Sequence, residues 1–323
     1  MNMRKLVIII VALAAVSLAG YVGLARTGQF QLSRDELVAR YADAESKFVD
    51  VRGIVVHYKD EGPVDGGRAP PVLLLHGSFG SLRSWDGVVA RLKDTHRLIR
   101  IDQPGTALSG DIPASLEGLS LEDFIAAFLD ELGVDRVSLA GTSSGGIIAY
   151  RFAAKYPERA AALVLSNAPS AVVDNAATGT PPALNAMIFV SSRILKHQPE
   201  MYWRMLLDSL YADPSRVKGA VVRQYFDFGR RARTAPPVRS MFARVNDTAE
   251  ITEILGQITT PTLLLWGVPD RVLPEAMGRQ LQAKLSATAA ELVILNGTGH
   301  YPPVESPDLV AEHMAAFLAS TKP

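Results

Sequence analysis

The sequence contains no cysteine in its 323 residues. This absence excludes disulfide bonds, thiolate-bound metal sites and a cysteine nucleophile, and it leaves the redox compartment open. An excess of one charge is also missing, because 33 Lys and Arg residues offset 33 Asp and Glu residues. Such a neutral chain gives no indication of binding nucleic acid. Internal repeats and long low-complexity tracts are absent too, so the length predicts one large α/β domain, or a domain with a sizeable insertion.

The N-terminus carries a long run without charge. Arg4 and Lys5 precede twenty uncharged residues, 6–25. That length fits a membrane-spanning helix better than the apolar region of a cleaved signal. We predict a short basic N-terminus over residues 1–5 and a transmembrane signal anchor over 6–25, with a cleaved signal peptide and secretion as the alternative. The flanking charges do not decide the orientation, and we expect the catalytic domain outside the cytoplasm.

The rest of the chain alternates strand-like and helical patterns. Residues 26–47 form a polar connector with a predicted helix over 33–46. Alternating patterns over 48–170 and 257–323 predict a mostly parallel sheet covered by helices on both faces. The alternation breaks over 171–256, a stretch that reads as helical and is rich in methionine and aromatic residues. We predict that this insertion is a helical lid over an apolar pocket.

The most informative stretch lies in the middle of the chain. A strand-like run, residues 137–140, is followed by Gly-Thr-Ser-Ser-Gly at 141–145 and by a helical pattern over 147–154. Gly-x-Ser-x-Gly between a strand and a helix is typical of a nucleophile elbow, a tight turn that lifts Ser143 out of the sheet. The pentapeptide alone is weak evidence in a chain rich in Gly and Ser, so its context has to decide.

Two further loops follow strand-like runs and carry candidate partners for Ser143. Asp270 follows the run 262–266, and His300 follows the run 292–295. The carboxyl ends of parallel strands share one edge of a sheet, which is where ligands bind. Asp102, at the end of another run, is a second candidate acid that we interpret as a turn residue. The other histidines are interpreted as structural; they are His57, His76, His96, His197 and His313.

Together these motifs resemble the lid-bearing α/β-hydrolase fold superfamily over about residues 45–320. The resemblance rests on five motifs in the family's order: His76-Gly77, Asp102-x-Pro-Gly105, Gly141-x-Ser143-x-Gly145, Trp266-Gly-x-x-Asp270 and Gly299-His300. Two positions depart from the pattern. Ala107 stands where many relatives have glycine. Asn167 stands where some relatives place their acid; an amide cannot take that role, so Asp270 keeps it.

The resemblance implies nucleophilic acyl transfer. Ser143 would attack a carbonyl carbon, His300 would take the serine proton, and Asp270 would orient His300. Backbone N–H groups of Ser78 and Ser144 would hold the oxyanion. The mechanism needs no metal and no organic cofactor.

The resemblance also bears on the substrate. We expect Phe79 and Trp203 to contact it, and we expect it to be a small or medium apolar ester. The serine at position 143 argues against epoxide opening and dehalogenation, because relatives with those activities have aspartate at the elbow. Cleavage of a carbon–carbon bond beside a carbonyl, as in meta-cleavage-product hydrolases, is the main alternative. Peroxide chemistry, and a receptor or scaffold that binds an apolar ligand, are further alternatives. The sequence leaves the oligomeric state open.

Overall fold

One sheet organises the structure, and eight strands of the described residues form it in the order β1-β2-β4-β3-β5-β6-β7-β8. The computed structural model describes residues 2–63, 69–116, 118–171, 181–232 and 248–321. Strands β3 to β8 run parallel, and β1 and β2 are added to the β4 edge as an antiparallel hairpin.

The strands are β1 Lys47–Val51, β2 Ile54–Glu61, β3 Val72–Leu75, β4 Leu98–Ile101, β5 Val137–Thr142, β6 Ala160–Ser166, β7 Thr262–Val268 and β8 Ala290–Asn296. The α-helices are α1 Met3–Arg26, α2 Arg34–Tyr41, α3 Asp86–Leu92, α4 Leu121–Glu131, α5 Ser144–Lys155, α6 Pro182–Phe189, α7 Glu200–Leu210, α8 Gly219–Gly229, α9 Thr248–Gln257, α10 Glu275–Lys284, α11 Pro302–Glu305 and α12 Pro307–Ser320. A π-helical turn, Val190–Leu195, continues α6.

Alternate side chains of β3 enter two separate cores. Leu73 and Leu75 pack in the cluster that includes residues of α4 and α5. Val72 and Leu74 pack in the cluster that includes residues of α3 and α12. Because both faces are covered, such a strand is a continuous apolar run rather than an alternating one. The predicted mostly parallel sheet with helices on both faces is confirmed.

The helix in the connector is shorter than the sequence predicts. A capping box between Ser33 and Glu36 starts α2, as the sequence indicates. The helix ends at Tyr41 instead of continuing to residue 46. Asp43 and Ser46 explain the earlier end, because the Asp43 backbone N–H donates to Ser46 Oγ at 3.1 Å and closes a turn there.

The described parts of the predicted insertion 171–256 are helical, but they divide into two groups. Helices α7 and α8 pack together in an apolar cluster that also includes Tyr301. Helix α9 instead packs on the sheet, because Ile251 and Leu255, one turn apart, are fully buried in the cluster shared with α5. We therefore group α9 with the helices that cover the sheet. The role of the remaining helices as a lid stays a prediction.

Helix α1 lies largely outside the packed part of the molecule. Ala25 is its one buried residue. Its 24 residues give a length of about 36 Å, which exceeds the ~30 Å hydrocarbon core of a bilayer. By length and composition α1 could be a membrane anchor or a signal sequence.

The covered sheet leads to a stability prediction. Leu73→Ala and Leu74→Ala should each lower the free energy of unfolding by about 2–5 kcal/mol, because each leaves a cavity in a filled core. Val55→Ala, on an exposed β2 side chain, should cost well under half as much. Denaturant titration of the three variants measures these differences. If only one of the two leucine variants showed a small decrease in the free energy of unfolding, the face of the sheet that carries that leucine would be open to solvent.

Candidate active site

The turn between β5 and α5 holds Ser143 in a strained conformation. Its backbone has φ 52° and ψ −126°, a region that side-chain-bearing residues rarely adopt. The Ser143 N–H donates to the Ser166 carbonyl at 2.9 Å, which secures the turn against β6. Gly141 and Gly145 are required here, because a Cβ at either position would meet backbone atoms. The Gly-x-Ser-x-Gly sequence thus forms the strand–turn–helix elbow that was predicted from it.

His300 lies between Ser143 and Asp270. Its Nε2 is 3.0 Å from Ser143 Oγ, and its Nδ1 is 2.7 Å from Asp270 Oδ2. Both the histidine and the aspartate are buried. If the Nδ1 hydrogen faces the carboxylate, Nε2 is left to accept the serine proton. Three residues from separate loops, predicted to share one edge of the sheet, therefore form a chain of hydrogen bonds that can move a proton from the hydroxyl to the imidazole.

Asn167 is a site residue whose contribution the sequence analysis missed. Its Nδ2 donates to Asp270 Oδ2 at 2.6 Å, and its Oδ1 accepts the Gly267 N–H at 2.8 Å. The backbone N–H groups of Val272 and Leu273 donate to the other carboxylate oxygen of Asp270 at 2.7 and 2.9 Å. The carboxylate is thus held from both sides. The signal in the sequence was the position itself, directly after β6, where the family resemblance places an acid in some relatives.

The two residues predicted to form the oxyanion site lie side by side. Ser78 Oγ donates to Ser144 Oγ at 3.0 Å. Ser144 is the first residue of α5, so its backbone N–H has no partner within the helix. The positive end of the α5 dipole also points toward this place. The arrangement can stabilise negative charge beside Ser143.

His76 and Tyr301 fix the loop that carries Ser78. His76 Nε2 accepts the Gln103 N–H at 3.1 Å, so its hydrogen is on Nδ1, which lies 2.8 Å from the Gly77 carbonyl. Burial lowers the pKa of His76, which keeps the imidazole neutral. Tyr301 donates its hydroxyl to the Ser78 carbonyl at 2.9 Å. Burial raises the pKa of Tyr301 well above its ordinary value, so this donor keeps its proton.

A cavity of about 460 Å³ opens beside the Ser78–Ser144 pair. Phe79 and Trp203, the two residues predicted to contact substrate, both line it. Their rings pack edge to face with centroids 5.7 Å apart. Trp203 is buried, whereas Phe79 is 57% exposed at the opening. Contact of these rings with a substrate stays a prediction.

The two arginines directly after α8 are paired with carboxylates. Arg231 is buried, lines the cavity and pairs with Asp111 at 2.9 Å. Arg230 pairs with Asp227 at 2.7 Å. A parallel bridge between Leu32 and Arg231 draws this segment onto the connector, which explains the burial. Arg233 lies outside the described residues.

Asp102 is confirmed as a turn residue. It accepts the Leu82 and Leu108 N–H groups at 2.8 and 3.1 Å. Its Oδ2 also lies 2.7 Å from His57 Nδ1. These contacts tie the carboxylate to its own loop, to the loop after β3 and to β2, and His300 has Asp270 as its partner instead.

Among the residues that the structure describes, no group of three or more His, Asp or Glu side chains is arranged to hold a metal ion. The predicted independence from metals and organic cofactors stays a prediction.

Known proteins resemble the chain over most of its length. A family model described as "Alpha/beta hydrolase family" matches residues 72–313. The 2-hydroxy-6-oxononadienedioate/2-hydroxy-6-oxononatrienedioate hydrolase of Burkholderia vietnamiensis is 28% identical, with 88% of this chain and 99% of that protein covered. The dihydrolipoyllysine-residue acetyltransferase component of the acetoin cleaving system of Pseudomonas putida is 26% identical over 78% of this chain, which spans only 64% of that protein.

A solved structure matches nearly the whole chain. The crystal structure of a membrane phospholipase A, a bacterial virulence factor, is 25% identical with a TM-score of 0.63. The match covers 98% of both chains. It therefore extends into α1, which the family model does not reach.

Asn167 provides a test of how Asp270 is held. In Asn167→Asp, a second carboxylate would stand where the amide now donates, and two adjacent carboxylates cannot both ionise easily. Repulsion between the two carboxylates and loss of the amide donor should turn Asp270 out of its contact with His300, so the rate of Ser143 labelling by a fluorophosphonate should fall by about tenfold or more. The measurement is the labelling rate at neutral pH. Asn296→Asp, at the exposed last residue of β8, is the control and should keep its labelling rate, whereas an unchanged rate in Asn167→Asp would contradict this role.

Proposed function

The chain belongs to the alpha/beta hydrolase family and is a hydrolase, and from this premise we propose that it is a membrane-anchored serine hydrolase that cleaves carboxylic esters. The observation that carries the proposal is the position of His300, 3.0 Å from Ser143 Oγ and 2.7 Å from Asp270 Oδ2. A hydroxyl, an imidazole and a carboxylate in that contact have the geometry of an activated serine nucleophile.

In the first half of the proposed reaction, Ser143 Oγ attacks the ester carbonyl carbon while His300 Nε2 takes the hydroxyl proton. Asp270 stabilises the imidazolium that forms. The carbonyl oxygen becomes an oxyanion held by the backbone N–H groups of Ser78 and Ser144. Loss of one such donor costs on the order of 3 kcal/mol in the barrier.

The first half ends when the tetrahedral intermediate collapses, the alcohol leaves with the proton from His300, and the acyl group remains on Ser143 Oγ. In the second half, this acyl-enzyme is hydrolysed. A water molecule then gives a proton to His300 and attacks the acyl carbon. When the second tetrahedral intermediate collapses, the proton returns to Ser143 and the carboxylic acid is released.

The cavity favours an apolar acyl or alcohol group. Its lining includes Phe79, Ile148 and Trp203. Arg231 is the one cationic side chain among the described lining residues, and Asp111 offsets its charge at 2.9 Å. A neutral ester therefore suits the cavity better than a substrate with several negative charges. The likeness to a membrane phospholipase A, an enzyme whose name implies an acyl ester substrate, supports the same choice.

Carbon–carbon bond hydrolysis is the second candidate. It is favoured by the likeness to the Burkholderia vietnamiensis hydrolase, which extends over 99% of that protein. The proposed site would serve this reaction with the same three residues, because the bond that breaks also lies beside a carbonyl. The substrate named for that relative is a dianion, and recognition of its carboxylates by this chain would require Arg231 to exchange Asp111 for the substrate.

We further propose that α1 is retained as an anchor and that the catalytic domain lies outside the cytoplasm. Two observations support retention. The helix is long enough to span a bilayer, and its last turn packs against the domain through the buried Ala25. The likeness to the membrane phospholipase A also includes this part of the chain.

Ester hydrolysis by the purified full-length protein tests the proposed function. The substrates are p-nitrophenyl esters from acetate to long acyl chains. Ser143→Ala should lower kcat by a factor of about 10⁴ or more, because it removes the nucleophile of a cooperating group. Ser46→Ala is a matched control, since Ser46 Oγ also lies 2.9 Å from a histidine, His57 Nε2, whose Nδ1 is 2.7 Å from Asp102. It should keep its activity because Ser46 is hydrogen-bonded to His57 and makes no hydrogen bond to Ser143, Asp270 or His300.

Two results would contradict ester hydrolysis. Inactivity on every ester, with Ser143 labelled by fluorophosphonate and a 2-hydroxy-6-oxodienoate consumed, would establish the carbon–carbon alternative. Inactivity without labelling would favour a ligand-binding receptor or scaffold with a hydrolase fold.

The intact mass of the protein tests retention of α1. Protein extracted from membranes with detergent should retain residues 1–26, because a signal anchor is not cleaved. Mass spectrometry of the extracted chain gives the result directly. A chain that begins after α1 and is released without detergent would establish a cleaved signal peptide instead.

A further inference from the structure

A patch of apolar side chains is exposed beside α1. Outside α1, eight large hydrophobic residues of the described chain are exposed, and four of them lie within residues 188–201. These four are Ile188, Phe189, Ile194 and Met201. Scattered exposed hydrophobics are ordinary, but a concentration in one short segment marks an interaction surface.

The segment that carries the patch has one buried side and one exposed side. It is Pro182–Leu195, an apolar helix too short to span a membrane. Leu184 and Leu195 are buried against the rest of the molecule, at 2% and 6% exposure. Phe189, on the other side, is 60% exposed. The buried leucines hold the segment in place, so its outward apolar side chains face solvent as a fixed surface.

The charges of this segment have one sign. Residues 182–199 include Arg193 and Lys196 and contain no Asp or Glu, and the Glu200 that follows them is paired with Arg223 at 3.3 Å. Both basic residues are exposed. A surface that combines large apolar side chains with Lys and Arg fits the headgroup region of an anionic bilayer.

The patch is continuous with the helix proposed to cross the membrane. Arg26, the first charged residue after the apolar stretch, donates to the Ile194 carbonyl at 3.1 Å. The rings of Tyr21 and Phe30 pack together at 5.2 Å, and Phe30 packs on His197 at 5.3 Å. Tyr and Arg at the end of a spanning helix lie at the membrane–water interface. The residues in contact with them therefore lie at the same depth.

We propose that Pro182–Leu195 and Met201 form a second membrane contact, which lies in the headgroup region of an anionic bilayer. The inference rests on the proposed anchor, because α1 sets the depth of the segment. A second copy of the chain is a poorer occupant, since a two-fold contact through this surface would bring the basic residues of both copies together.

This contact would hold the cavity at the bilayer surface. Gln198, Tyr202 and Trp203 follow the segment directly and line the cavity. Apolar esters dissolved in the bilayer would then reach the opening without crossing bulk water.

The absence of cysteine makes the proposal directly testable in the full-length protein. An environment-sensitive fluorophore is attached to Phe189→Cys or to Ile194→Cys, both at exposed positions, and the protein is reconstituted in vesicles of phosphatidylcholine and phosphatidylglycerol. The emission of both labels should shift to the blue. Their fluorescence should also be quenched by lipids that carry a quencher near the headgroup end of the acyl chain. Ala316→Cys, exposed on α12, is the control and should be quenched by iodide in the water instead.

A label at Val11→Cys separates this inference from the anchor. Quenching at Val11 by deep lipid quenchers, without lipid quenching at Phe189 and Ile194, would overturn the second contact and leave the anchor intact. Absence of lipid quenching at all three positions would overturn both. Protection of Phe189 from iodide and from lipid quenchers alike would show that protein, such as a second copy, covers the patch, and would overturn the proposal.

The charge of the segment is tested separately. Arg193→Gln with Lys196→Gln should lose most of the increase in Phe189 quenching that phosphatidylglycerol produces over pure phosphatidylcholine. Lys93→Gln with Arg136→Gln removes the same number of positive charges, but near the amino ends of β4 and β5, opposite the carboxyl ends where the site lies. This double variant should retain that increase. Equal loss in the two double variants would overturn the electrostatic part of the proposal.

Discussion

The close approach of α5 to the carboxyl end of β3 is the constraint on which the site depends. A side chain at Gly145 would meet the carbonyl groups of Leu75 and His76. Because that space is empty, the first turn of α5 can lie against the loop after β3, and Ser78 can contact Ser144. The same crowding drives Ser143 into its strained conformation. Backbone strain at this point is thus the cost of bringing a nucleophile, a helix N-terminus and a neighbouring loop within reach of one atom.

The acid is held as firmly as the nucleophile, but by different means. Asp270 accepts two backbone N–H groups from its own loop and a side-chain amide N–H from Asn167, directly after the neighbouring strand β6. Asn167 in turn accepts the Gly267 N–H, so the carboxyl ends of β6 and β7 are joined at the point where the acid leaves the sheet. A carboxylate with this many donors is held in its orientation toward His300. The imidazole is therefore oriented by hydrogen bonds that the fold itself provides.

The sequence predicted those features of the site that depend on local pattern. Ser143, Asp270 and His300 each follow an apolar run, and parallel strands bring such positions to one edge whatever their separation along the chain. Features that depend on a distant partner were missed. Asn167 acquires its role only through β7, about a hundred residues later, and Arg231 is buried because Asp111 and the connector meet it there. The end of α2 was also predicted wrongly, because a hydrogen bond to the Ser46 side chain competes with continuation of the helix.

The connector links the N-terminal helix to one wall of the cavity through hydrogen bonds. Leu32 exchanges backbone hydrogen bonds with Arg230 and Ala232, immediately after α8. Tyr41, at the end of α2, donates to Asp227 within α8 at 2.8 Å. Phe228, Gly229 and Arg231 line the cavity. The connector that follows α1 is therefore hydrogen-bonded to one wall of the cavity through both backbone and side-chain groups. Displacement of α1 relative to the domain would have to break these bonds or carry that wall with it. Helix α1 and the cavity wall are therefore coupled by ordinary hydrogen bonding through the connector.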